Sequence, residues 1–166
     1  MTLERIWAGW RAAYIAGVSA EPAPAARECL ICGLGAADPE EVLVVAGNDL
    51  VFAVMNAYPY TSGHVMLAPR RHEADLDGLR PDEAAALMTM AQQATTALKV
   101  AYRPGGINVG VNVGRAAGAG VPGHVHFHAL PRWNGDTNFM TTVAEARVLP
   151  EDLRTSWRKL KDAWPV

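Results

Sequence analysis

Between Glu41 and Ala68 the chain switches repeatedly between short apolar runs and turn-forming clusters: EVLVVA, LVFAVM and GHVMLA are separated by GND and by NAYPYTSG. Runs of this length bounded by Gly, Asn, Asp and Pro predict strands, and the short GND link predicts a hairpin. The three segments together read as an antiparallel meander. The period then lengthens. Ala84, Leu87, Met88, Ala91, Ala94, Leu98 and Ala101 fall on one stripe at helical spacing. Pro81, Asp82 and Glu83 stand at the start of that helix, Lys99 and Arg103 late in it, and Gly105 and Gly106 beyond. That order suits a helix dipole and its two ends, and the stripe is expected to lie on the sheet. GINVGVNV returns to strict alternation, with Ile107, Val109, Val111 and Val113 on one face and Asn108, Gly110 and Asn112 on a bare, polar one.

At the ends, Trp7, Trp10 and Tyr14 share one side of a predicted N-terminal helix, and LPEDLRTSWRKLKDAW predicts a C-terminal amphipathic helix carrying Leu153, Trp157, Leu160 and Trp164. These aromatic residues are read as core or interface. SAEPAPAARE reads as a linker, and GLGAADPE, after the cysteines, as a loop. The expected fold is α+β: an antiparallel sheet of about five strands, one long crossover helix, and a helix at each end. Residues 1–166 are expected to form one domain, with an N-terminal segment 1–40, a core 41–133 and a C-terminal extension 134–166.

Composition narrows the classes of function. The chain has 166 residues, 50% apolar and 19% charged, with a net charge of −2. It offers no basic field for a polymeric nucleic acid or an anionic membrane. No apolar run reaches the roughly 20 residues a membrane helix needs, and the N-terminus lacks a signal-like apolar stretch, so a cytosolic location is expected. Cys29 and Cys32, in ECLICG, are too close to staple a loop usefully. They are open to three readings: half of a tetrahedral metal site, a redox pair, or buried thiols.

The chemistry concentrates in GHVHFHALPRW, which holds three of the five histidines at alternate positions. On a strand His124, His126 and His128 share a face, while Val125, Phe127 and Ala129 fill the other. Three aligned imidazoles allow a metal site, nucleophilic catalysis in which neighbours orient the attacking ring, or plain surface histidines. One straight strand spaces three ligands awkwardly for a single ion. Upstream, GRAAGAGVPG can present backbone N–H groups to a phosphate, because Gly118 and Gly120 lack side chains; it can equally be a flexible connector.

HVHFHAL followed by PR resembles the signature of the histidine triad family of nucleotide hydrolases and transferases. NAYPYTSGHVMLAPRRH resembles that family's upstream segment, so the likeness covers most of residues 41–133. RWNGDTNFM and IWAGWRAAYI resemble the branch that contains bacterial dinucleoside polyphosphate hydrolases and phosphorylases. The resemblance implies displacement at the α-phosphate of a nucleotide, with His126 as nucleophile forming a nucleotidyl-imidazole. His128 would contact phosphate oxygens or the leaving group, and the backbone near His124 would fix the tautomer of His126. It further implies nucleotide contacts from Asn112 and from Asn56, the ribose-contacting position, and it places His64 in the Gly-His position, where a hydrogen-bonded structural role is the alternative. Some family members complete a structural zinc site with residues that correspond here to Cys29, Cys32, His72 and His124. Members usually form homodimers through the long helix and a neighbouring strand, and Ala84, Ala85, Ala86 and Ala91 would permit close approach. The leading reading is a hydrolase or nucleotidyltransferase acting on a dinucleoside polyphosphate or related nucleotide conjugate, with a phosphorylase that uses phosphate as the acceptor as the alternative. A non-catalytic, zinc-stabilised nucleotide-binding protein is a further alternative.

Overall fold

A computed structural model describes residues 29–136 and 150–165. The expected N-terminal helix with Trp7, Trp10 and Tyr14, the Pro/Ala linker, and the end of RWNGDTNFM lie outside the described residues.

The meander is present as β1 (Val44–Gly47), β2 (Val51–Met55) and β3 (Val65–Pro69). Each pairs antiparallel with the next, and a register shift between Val44 and Ala46 bends β1. The long helix α2 (Pro81–Tyr102) then crosses over to β4 (Gly106–Val111), and the chain returns as β5 (Phe127–Arg132), inserted between β3 and β4. The sheet has five strands in the order β1-β2-β3-β5-β4. A short helix, α1 (Leu30–Ala36), precedes it, and α3 (Leu153–Ala163) follows.

All five residues of β2 are buried, which requires cover on both faces of the sheet. Alternation sorts them. Val51, Ala53 and Met55 join Val65, Leu67, Ala129, α2 and α3 in the main core, while Phe52 and Val54 join Ile31 of α1 and Ala68 of β3 in a smaller cluster. On α2 the buried apolar residues are Leu87, Met90, Ala91, Ala94, Ala97 and Leu98. The stripe is therefore rotated from the expected one: Met88 is 56% exposed and Ala84 also faces outward, because Met90 and Ala97 take the sheet side. α3 follows its amphipathic pattern, and Trp157 docks it by donating from Nε1 to the carbonyl of Val44 at 2.9 Å.

Two local expectations are corrected. The GLGA stretch after the cysteines is helical and not a loop, although glycine disfavours helix. Burial of Ile31 outweighs that propensity, and Gly35 allows the approach, since a Cβ there would lie 3.1 Å from the Phe52 ring. The histidine strand is shorter than expected: β5 begins at Phe127, so His124 and His126 precede it. β3 pairs with β5 only through Val65, Met66 and Leu67. Beyond Leu67 the two chains part.

Candidate functional site

Alternation places one group of polar residues on the sheet face opposite α2. Met55, Val65, Ala129 and Ile107 all point to the main core. Their neighbours Asn56, His64, His128 and Asn108 therefore take the other face. Gly110 of β4 is the register partner of His128, and a side chain built on it would meet nothing within 4 Å. The bare face expected of GINVGVNV is thus the face that His128 shares.

The hydrogen bonds around these rings define their tautomers. A backbone amide can only donate, so Tyr60 N–H, 3.1 Å from His64 Nδ1, makes that nitrogen an acceptor. The proton of neutral His64 then sits on Nε2, which donates to His128 Nδ1 at 2.9 Å. His128 is left with its proton on Nε2. His64 is fully buried, and the ring of Tyr60 lies over both histidines, with centroids 4.6 Å from His64 and 6.0 Å from His128. Burial, followed by the neighbouring His126, lowers the His128 pKa below the ordinary histidine value, which favours the neutral ring these bonds require.

His126 follows the same logic with the opposite polarity. Its Nδ1 lies 2.8 Å from the carbonyl oxygen of His124, which can only accept, so Nδ1 carries a proton and, in the neutral ring, Nε2 is the nitrogen with the lone pair. The ring is buried and meets His128 edge-on at 5.0 Å. His124 itself has both nitrogens committed. Nε2 donates to Pro69 O at 2.9 Å, and Nδ1 lies 3.4 Å from the sulfurs of both Cys29 and Cys32. It belongs with the cysteines.

His72 completes that group, with Nδ1 3.4 Å from Cys32 Sγ. The four ligand atoms all lie within 4.8 Å of one another, and the cluster can hold a metal ion. Two sulfurs and two nitrogens at tetrahedral bond lengths around zinc would be separated by about 3.3 to 3.8 Å, close to the spacing found. The bond from His124 Nε2 to Pro69 also supplies the outer partner that fixes a ligating imidazole. Without a cation, burial and the hydrogen bond and charge of Cys29 push the Cys32 thiol up to about 11; a bound cation would favour thiolates instead.

The remaining expected residues sit as follows. Asn56 is 9% exposed, and both ends of its amide face inward: Oδ1 accepts from Tyr58 N–H at 2.9 Å, and Nδ2 lies 3.3 Å from His64 Nδ1. Asn112, just past β4, reaches the carbonyl of Gly118 at 3.5 Å. Gly118 has φ +93, a conformation natural to glycine, whereas Gly120 has open space around it. Beyond the His124 carbonyl, two backbone groups that set histidine tautomers, Tyr60 N–H and Pro69 O, were not expected from the sequence, because main-chain donors and acceptors leave no trace in residue identity.

A five-stranded antiparallel sheet with one crossover helix, a file of oriented imidazoles on one face and a Cys/His cluster beside it defines a histidine-centred α+β class. Comparison with known proteins makes it specific. Residues 39–135 match the HIT domain. An AP-4-A phosphorylase from Mycobacterium tuberculosis is 39% identical over 170 residues, covering 98% of this chain and 85% of the relative. A bifunctional bis(5'-adenosyl)-triphosphatase/adenylylsulfatase from Arabidopsis thaliana is 34% identical over 60% of this chain and 53% of its own. Among solved structures, a Zn-bound histidine triad family protein from Mycobacterium smegmatis superposes with a TM-score of 0.69 at 26% identity, covering 84% of this chain and 94% of that one. The chain belongs to the HIT family and is an enzyme of its nucleotide hydrolase and transferase class. No described helix is long and apolar enough to cross a membrane.

Proposed function

We propose that the protein is a dinucleoside polyphosphate phosphorylase that works through a covalent nucleotidyl-histidine. The observation that carries the nucleophile is the bond from His126 Nδ1 to the His124 carbonyl, which leaves Nε2 of a neutral imidazole free to attack. In the first step His126 Nε2 bonds to the α-phosphorus, and the bond from that phosphorus to the bridging oxygen of the remaining nucleotide breaks. His128, whose Nε2 carries a proton, stands ready to donate to a phosphate oxygen or to the departing one. In the second step an oxygen of inorganic phosphate attacks the same phosphorus, the P–N bond breaks, and the released nucleotide carries one additional phosphate. Phosphate is favoured over water by the 39% identity to an AP-4-A phosphorylase across nearly the whole chain. Asn112 and the Gly118 to Gly120 backbone are assigned to the phosphates, and Asn56 to the nucleoside, its inward amide orienting the Asn56–His64 corner.

The metal we assign to Cys29, Cys32, His72 and His124 is zinc, in a structural role. Two thiolates and two imidazoles fill all four tetrahedral corners, and a Zn-bound relative shares the fold. When bound, the ion supplies cross-linking and no open coordination position. We assign a homodimer to α2 and the edge strand β4, on which Ala84, Ala85 and Val109 are exposed and Ala86 is half-buried; Ala91 is buried within the protomer and drops out of that surface.

One experiment separates the acceptors. With diadenosine tetraphosphate and inorganic phosphate, phosphorolysis gives ATP and ADP, whereas hydrolysis gives ATP and AMP. The expected result is ADP that depends on phosphate and vanishes in His126→Ala. Undiminished turnover in that variant refutes the nucleophile; AMP alone, with phosphate present, refutes the acceptor.

A further inference from the structure

The segment bearing His124 and His126 has left the sheet, so something other than strand pairing must fix it. The backbone bond that does so runs from Val125 N–H to the carbonyl of Glu73 at 2.7 Å. Val125 is buried and stands between the cysteine-facing His124 and the free His126. Glu73 directly follows His72. Whatever positions residues 71–73 therefore sets a metal ligand and the nucleophile's backbone together.

That role falls to an ion-pair network around one buried carboxylate at the start of α2. Glu83 is fully buried, and Arg71 grips it with two parallel bonds, Nε to Oε1 at 2.9 Å and Nη2 to Oε2 at 2.8 Å. Arg80 adds its backbone N–H to Oε2 at 2.9 Å and its guanidinium to Oε1 at 3.0 Å. Arg71 turns its remaining donors on its own loop, Nη1 to Glu73 Oε2 at 3.0 Å and Nη2 to Gly78 O at 2.8 Å. Gly78 leaves room for that carboxylate: a Cβ there would lie 2.4 Å from the Glu73 carboxyl carbon and would displace it. With Arg71 38% and Arg80 55% exposed, solvent screens these pairs and they are a weak source of stability; what they give the buried Glu83 carboxylate is one specified geometry. The paired forks of guanidinium and carboxylate specify both distance and plane.

We infer that Arg71 and Glu83 are positioning residues that tie the first turn of α2, through the His72–Glu73 backbone, to both the Cys29/Cys32/His72/His124 cluster and the segment that aims His126. The inference rests on the functional reading above for the meaning of its two ends, and each end has its own readout.

The test uses the zinc-loaded full-length protein and the variants Arg71→Leu, Arg71→Lys and Glu83→Gln. Zinc release to a chromophoric chelator reports on His72; kcat and KM for diadenosine tetraphosphate report on His126. Loss of a direct outer partner of a metal ligand lowers metal affinity or activity by about 10- to 100-fold. Arg71 touches no ligand and acts through the backbone, so Arg71→Leu is expected to speed zinc release and lower kcat by the lower of these, about 10-fold, with KM little changed. Arg71→Lys keeps the charge but not the fork and is expected to recover only a small part. Glu83→Gln keeps the shape and serves if Arg71→Leu does not fold. Folded variants whose melting temperature falls while zinc release and kcat stay within twofold of the parent overturn the proposal. If the parent protein takes up no zinc, the cluster reading fails and kcat alone decides; if the parent has no turnover, the nucleophile reading fails and zinc release alone decides.

Discussion

Replacing His64 tests the tautomer relay. In the parent, Tyr60 N–H fixes His64 Nδ1 as an acceptor, and His64 Nε2–H occupies His128 Nδ1 at 2.9 Å. His64→Leu fills nearly the same space without polar atoms and leaves His128 Nδ1 unpaired beneath a half-buried ring. A polar group stranded in this way costs about 1 to 3 kcal/mol. If the whole of that cost is felt when His128 must hold its proton on Nε2 toward the phosphate, kcat falls about 5- to 150-fold, since each 1.36 kcal/mol is a factor of ten. KM should move less than kcat, because His64 is fully enclosed and reaches the proposed nucleoside position only through Asn56. His64→Gln places an amide donor near the position of Nε2 and should restore most of the rate. Steady-state kinetics of the three proteins, with circular dichroism to verify folding, is sufficient. A folded His64→Leu variant with the parent's kcat would refute the relay, and equal losses in Leu and Gln variants would show that shape, not the donated proton, is what His64 contributes.

Two further outcomes follow from packing and charge. Trp157→Ala empties a buried site between α3, α2 and β1 and removes the bond to Val44, so a loss of about 3 to 5 kcal/mol is expected, read as a lowered urea midpoint; Trp157→Phe, which loses the bond but keeps a ring, should cost about 1 kcal/mol. Glu83 is held down at about 2, first by its hydrogen bonds with Arg71, whereas a free glutamate titrates near 4.3. Its folded pKa lies below its unfolded one, so its stabilising contribution is complete above the unfolded value and is lost as pH falls from about 4.5 toward 2. The difference in urea midpoint between the parent and Glu83→Gln should accordingly shrink across that interval, and a constant difference would show that the ion pair is not its source.

How much of this was legible in the sequence depends on whether the signal was periodic. The meander, the crossover helix and α3 announce themselves because a buried face imposes a period of about 2 or 3.6 on residue type. β4 announced its two faces as well, down to the glycine that stands opposite His128. α1 did not, because a helix of LICGLGA is held by Ile31 and by contact with Phe52, and local propensity carries no record of a partner 20 residues away. The orientation of α2 was off by part of a turn for a related reason: with so many alanines on the helix, several stripes look alike, and the sheet selected the one with Met90 and Ala97.

The site divides along the same line. Alternate histidines are visible as spacing, yet the spacing alone suggested one strand with three equivalent rings. What makes the rings inequivalent is departure from the sheet after Leu67, which no period encodes. Once the chain parts from β3, His124 turns to the cysteines, His126 hangs on the His124 carbonyl, and only His128 remains in the ladder with His64 behind it. Each ring then receives its proton position from a group that can act in only one sense: a carbonyl for His124 and His126, an amide by way of His64 for His128. Three identical side chains thereby take two proton arrangements in three settings: His124 and His128 carry the proton on Nε2, the first against the cysteines and the second in the ladder, while His126 carries it on Nδ1. The separate roles proposed for them rest on this division, which follows from main-chain atoms whose positions depend on the fold as a whole.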